Sequence, residues 1–118
     1  MADHALFIGW GAPVYGREEK GLGVFAESIE YYGTLQGEGR IESFEAVLLD
    51  AHGGDLEGFA LIRGTRQQMA DLRGDDEFRR LITRASLIIQ SLGVVDAILG
   101  EQLGAELGVY QEAVEELA

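Results

Sequence analysis

An α+β fold with a four-stranded antiparallel sheet is predicted by three features of this sequence. The stretch from Ile41 to Gly64, IESFEAVLLDAHGGDLEGFALIRG, reads as two strands joined at His52-Gly53-Gly54-Asp55. Segments with helix periodicity lie on either side of that hairpin, and each is flanked by a further strand. Every strand of the hairpin and after it splits into one clean apolar face and one mixed face, as in a sheet covered by helices on one side.

The elements follow in order. His4 to Ala12 is short, apolar and followed by Pro13, which predicts a first strand. From Arg17 to about Leu35 the residues Leu22, Phe25, Ile29, Tyr32 and Leu35 recur at spacings of three and four, which predicts a helix; Gly21 and Gly23 weaken its first turn, and Gly37 and Gly39 end it. Strands are expected over Ile41–Asp50 and Leu56–Arg63, with Gly53 and Gly54 supplying the positive φ angles of a tight connection. Thr65 is a candidate N-cap for a short helix over Arg66–Arg73.

Gly74 breaks that piece, and Asp75-Asp76-Glu77 opens a longer helical stretch with acids where the macrodipole favours them. Its apolar face is Phe78, Leu81, Ile82, Ala85, Ile88 and Ile89, and Arg79, Arg80 and Arg84 fall on the other side. Ser91–Leu99 is the fourth strand, centred on Val94 and Val95. From Glu101 onward Leu103, Leu107, Tyr110, Val114 and Leu117 make a narrow heptad-like stripe on an acidic helix, and a stripe that narrow needs a partner surface. No repeat, low-complexity tract or linker divides the chain, so residues 1–118 are expected to form a single domain.

Strand, helix, strand, strand, helix, strand is the split β-α-β order of the ferredoxin-like fold, here with an extra C-terminal helix. Phe44, Ala46 and Leu48 make the clean face of the second strand, Leu56, Gly58, Ala60 and Ile62 that of the third, and Val95, Ala97 and Leu99 that of the fourth; these are assigned to the helices. The opposite faces carry Glu45, Val47, Phe59, Leu61, Arg63, Val94, Asp96 and Ile98. They are too apolar for water, since each exposed large side chain forgoes about 1.5–3 kcal/mol of burial. A second copy of the sheet would cover them.

On this topology, and on the segment FALIRGTRQQMADLRGDDEFRRLITRASLI, the chain resembles the dimeric α+β barrel superfamily. The resemblance spans nearly the whole chain. It implies a homodimer packed sheet to sheet with a pocket in each subunit. The superfamily includes cofactor-independent monooxygenases, muconolactone isomerases, haem-binding enzymes and members with no assigned role, and no motif here selects a branch.

Composition narrows the partners. A hydrophobic content of 47% argues against disorder, and a chain without cysteine has no disulfide, thiolate nucleophile or thiolate metal site. The formal charge of −12 repels phosphate backbones and anionic lipid, so neither nucleic acid nor membrane is an expected partner. The N-terminal MADHALFIGWG lacks a basic leader and no run approaches a membrane span, which points to a cytoplasmic protein.

Two candidate sites emerge. The first and second strands run parallel, so Trp10, Tyr15, Arg17, His52 and Asp55 are expected at one rim. His52 and Asp55 there form a candidate catalytic dyad, with the carboxylate fixing the tautomer of an imidazole base; the plainer reading is a pair of turn residues. His4, Trp10, Glu45, Phe59, Arg63 and Asp96 are a candidate ligand-binding set on the mixed face, if the first strand turns His4, Leu6, Ile8 and Trp10 to that side. The plainer reading is a dimer interface in which Arg63 pairs with Glu45, Glu57 or Asp96.

Two distant histidines and one H-x-x-D turn do not meet the ligand count of a metal site, and no metal is expected. GWGAPVYG and GLGVFAE match neither G-x-G-x-x-G nor a P-loop, and no serine lies in a nucleophile elbow, so no cofactor is expected either. The sequence thus predicts a homodimer binding a small, partly apolar or aromatic ligand beside the sheet. The alternatives are a cofactor-independent monooxygenase- or isomerase-like enzyme with a histidine base, and a structural interaction module docking through its acidic C-terminal helix.

Overall fold

The computed structural model describes residues 2–118. Its elements are β1 (His4–Trp10), α1 (Glu18–Gly37), β2 (Ser43–Leu48), β3 (Gly58–Gly64), α2 (Arg66–Gly74), α3 (Asp76–Ser86), β4 (Gly93–Ile98) and α4 (Gly100–Leu117). The sheet order is β2-β3-β1-β4, and every neighbouring pair is antiparallel. This is the ferredoxin-like fold with an added C-terminal helix. No helix among the described residues is long and apolar enough to cross a membrane.

Local chemistry sets the helix ends. Gly39 at φ 74 closes α1, as its N–H bonds the Gln36 carbonyl and that of Arg40 bonds Leu35, satisfying carbonyls that the last turn leaves open. Thr65 and Gln68 form a reciprocal capping box at the start of α2. Asp75 caps α3, accepting from the N–H groups of Glu77 and Phe78. The same carboxylate lies 2.7 Å from the Arg40 guanidinium, tying the α1–β2 turn to the head of α3. These bonds, that of Phe78 first and Arg40 next, hold the Asp75 carboxyl below its ordinary pKa.

Register decides the faces. Leu6 and Ile8 pair with Ile62 and Ala60 on one side and with Asp96 and Val94 on the other. Leu6, Ile8, Ala60 and Ile62 are all buried beneath the helices with Tyr32, Leu35, Met69, Leu72, Phe78 and Leu81. The expected strand faces are therefore corrected twice. His4, Leu6, Ile8 and Trp10 lie on the helix side, and so do Val94, Asp96 and Ile98, leaving Val95 and Ala97 on the open side. Asp96 is tolerated there because β4 is an edge strand where its side chain is largely exposed, 3.8 Å from Arg73.

The open face carries Phe7 stacked on Phe59 with ring centroids 5.0 Å apart, then Val47, Leu61 and Val95. Arg63 reaches Glu45 of the same chain at 2.7 Å.

Several boundaries differ. The second helical stretch stops at Ser86 instead of running to Ile89, because Gly11 and Val14 donate their backbone N–H groups to the Gln90 and Ile88 carbonyls and Gln90 donates to that of Ala12. The β2–β3 connection spans residues 49–57 and is not a tight turn; of the glycine pair only Gly53, at φ 83, takes a positive angle.

Candidate functional site

The end of β1 runs into a cavity of about 400 Å³ between the sheet and the helices. Ile8, Trp10, Ala46, Leu48 and Ala60 form its floor, and α1 supplies the opposite wall with Val24, Phe25, Ser28, Ile29 and Tyr32. Ile82, Ala85, Ile89 and Leu92 close one side. Glu18 and Glu57 stand at the rim with Leu22, which is 74% exposed and so belongs to the mouth.

The chain makes this space with small residues. Trp10 pairs with Gly58 across β1 and β3, and its indole lies where a β-carbon of residue 58 would sit, within 2.8 Å. Gly58 thus lets the indole lie flat on the neighbouring strand, where it meets Phe25 edge-on at 5.8 Å. Gly21 lets α1 approach Pro13, whose Cγ would be 3.2 Å from an added β-carbon. Its role is close packing beyond any weakening of the first turn. Ala46 and Ala60 leave room above β2 and β3 that larger residues would fill.

Polar groups inside are few. Tyr32 is 3% exposed, and burial pushes its hydroxyl up to about 12, so it is neutral at ordinary pH. Ser28 donates to the Val24 carbonyl at 2.7 Å and lies beside Tyr32. The interior is an aromatic and aliphatic chamber with two hydroxyls and no charge, and its two carboxylates stand outside at the rim.

The expected site residues are scattered around this chamber. Trp10 is the one that lines it. Glu57 donates its backbone N–H to the Trp10 carbonyl, so the loop bearing His52 and Asp55 does border the end of β1. The imidazole–carboxylate dyad is not formed, however, because the loop backbone occupies both ring nitrogens of His52. Nδ1 accepts from the Gly54 N–H at 3.2 Å and Nε2 lies 2.7 Å from the Leu56 carbonyl, an arrangement that places a ring hydrogen on Nε2.

Tyr15 is 96% exposed, and Arg17 donates to the Leu87 carbonyl, bracing the turn before α1. The proposed mixed-face set is divided by the sheet. Glu45, Phe59 and Arg63 lie on the open face, whereas His4, Trp10 and Asp96 lie on the helix side. His4 sits at the far end of β1 from the chamber, with Nδ1 2.8 Å from Asp3. Phe25, Ile29 and Tyr32 line the chamber as well, although their spacing marks them only as one face of a helix. The available signal was Ser28 on the inner side of an otherwise apolar helix face, beside the glycines that thin the packing.

No protein-family model and no curated protein matches the chain. Solved structures do. A hypothetical protein of Arabidopsis thaliana is similar at a TM-score of 0.61 and 13% identity, covering 86% of this chain and 91% of its own. A dimeric protein of unknown function and ferredoxin-like fold from Bacteroides fragilis gives 0.58 at 16% identity, with 81% and 96% covered. SnoaB, a cofactor-independent oxygenase from Streptomyces nogalater, gives 0.54 at 14% identity, with 85% and 96% covered. At these identities the likeness is one of fold, and it places the chain among ferredoxin-like structures that include a dimer and an oxygenase.

Proposed function

We propose that this protein binds a small, largely apolar aromatic molecule in the chamber between β1–β3 and α1, as a homodimer joined through the open sheet face. The observation that carries the reading is the chamber itself. Its volume of about 400 Å³ falls within the roughly 300–1,000 Å³ of small-molecule pockets, and its lining is apolar and aromatic with two hydroxyls to orient a guest. A fully packed domain core leaves no such space. The rim acids Glu18 and Glu57 favour a neutral or cationic ligand over an anionic one. The dimer is supported by the apolar open face, with Phe7, Val47, Phe59, Leu61 and Val95, and by the similar Bacteroides fragilis protein, described as dimeric.

Trp10 is the sole tryptophan and reports on the chamber directly. Titration with 2-naphthol is expected to change its fluorescence saturably. Ala46→Phe, at an exposed floor position, is expected to weaken that binding at least tenfold while leaving thermal unfolding unchanged. A titration without saturation, or equal affinity in the variant, would remove the reading.

The likeness in fold to a cofactor-independent oxygenase supports a second reading, in which the chamber admits a substrate instead of a stored ligand. Its test is oxygen consumption with oxidisable naphthols. His52→Ala is expected to leave any such turnover unchanged, because that ring is spent on holding its own loop; loss of turnover in the variant would restore His52 as the base.

A further inference from the structure

The helix α4 stands apart from the rest of the fold. It has 18 residues and none is buried. It meets the body through β4 and the turn at Gly100, and the molecule is correspondingly extended, with a radius of gyration of 16.2 Å against about 13.5 Å for a compact chain of this length. Leu103, Leu107, Tyr110, Val114 and Leu117 lie along one side at alternating spacings of four and three, and each is 47% or more exposed. That is a narrow seam of the kind that packs against another protein surface. Glu112 and Glu116 fall on the opposite side, where they would stay in water.

An unsupported helix of this length is marginal in water, and this one contains Gly104 and Gly108, has Glu115 and Glu116 against its negative end, and carries no base for pairing. Its order therefore requires a surface. The open sheet face, four strands wide and about seven residues long, offers on the order of 400 Å² in projection, about half of the roughly 800 Å² each partner gives to a stable interface. We infer that α4 is an arm of the dimer, whose Leu103–Leu117 seam packs against the second copy and supplies the area that the sheet lacks. In a twofold assembly each copy covers the arm of the other, so the need is met without a further protein. The inference rests on the homodimer reading and adds a second contact to it.

Sedimentation equilibrium of the full chain tests both contacts separately. The wild type is expected to be a dimer. Leu107→Glu with Tyr110→Glu, at positions exposed within one copy, is expected to raise its dissociation constant at least a hundredfold, with α4 helicity falling in the far-ultraviolet circular dichroism as monomers form. Val95→Glu on the open face probes the sheet contact. Dissociation by Val95→Glu with no effect of the α4 variant would overturn the arm and keep the sheet dimer. The reverse pattern would keep the arm and overturn the sheet contact, and a monomeric wild type would overturn both.

Because the chain has no cysteine, Val114→Cys and Glu112→Cys give a direct readout. At dimeric concentrations the thiol at 114 is expected to react with a disulfide reagent at least tenfold more slowly than that at 112. Equal rates would overturn the inference.

Discussion

Asp75 concentrates several contacts in one side chain. It caps α3 and pairs with Arg40, and the Tyr31 hydroxyl lies 3.4 Å away, with its own pKa raised by burial first and by this carboxylate next. Replacement by alanine is expected to cost about 1–2 kcal/mol in urea unfolding, the range for loss of an N-cap plus a partly exposed ion pair. Asparagine keeps the cap acceptor and should cost less than about 1 kcal/mol. The pH dependence follows from the depressed carboxyl. Its contribution is fully present above the ordinary carboxylate range and is lost as pH falls through the lowered folded value. The variant should therefore differ most from wild type near neutrality and converge on it in acid. His52 marks the limit of residue-level reading: the sequence showed an imidazole beside a carboxylate, and the loop backbone took both of its nitrogens.

Elements were legible where their signals are local. Thr65, and Asp75 at the head of a run of acids, announced two helix starts because capping involves residues within three positions of each other. Thr65→Ala is expected to lower stability by about 1 kcal/mol, and a midpoint in urea unchanged from wild type would show that the rest of α2 holds the turn unaided. Helix α3 shows the opposite case. Ile88 and Ile89 continue its apolar period, yet the chain leaves the helix after Ser86 to bond with Gly11, Ala12 and Val14, partners some 75 residues earlier. Periodicity reports the face a residue would bury, not which backbone competes for its hydrogen bonds.

For the whole molecule, charge and shape act together. Each copy carries a formal −12, so association brings like charges together, and the proposed dimer should tighten as salt screens them. Its dissociation constant is expected to fall severalfold between low ionic strength and about 0.3 M sodium chloride, where the Debye length is well below 10 Å. A constant that rises with salt would mean that ion pairs across the interface outweigh this repulsion. The chamber and the arm belong to this scale too. One is a gap that α1 and the sheet leave around Gly58, Ala46 and Ala60, and the other is a helix that the body of its own copy does not cover.

The order and type of the elements, the capping residues and the apolar seam of α4 were determined by the sequence itself, since each depends on neighbours within a turn or two of the chain. The face that each strand presents was not. A strand's two faces differ by one residue of phase, and the phase of β1 and β4 is set by the pairing of Leu6 with Ile62 and Asp96, which no local pattern encodes. The site followed the same rule. Phe25, Ile29 and Tyr32 read only as a helix face, because such a face looks alike whether it meets a packed sheet or a hollow one, and only the tertiary structure, by laying α1 over small residues, decided that it meets a chamber.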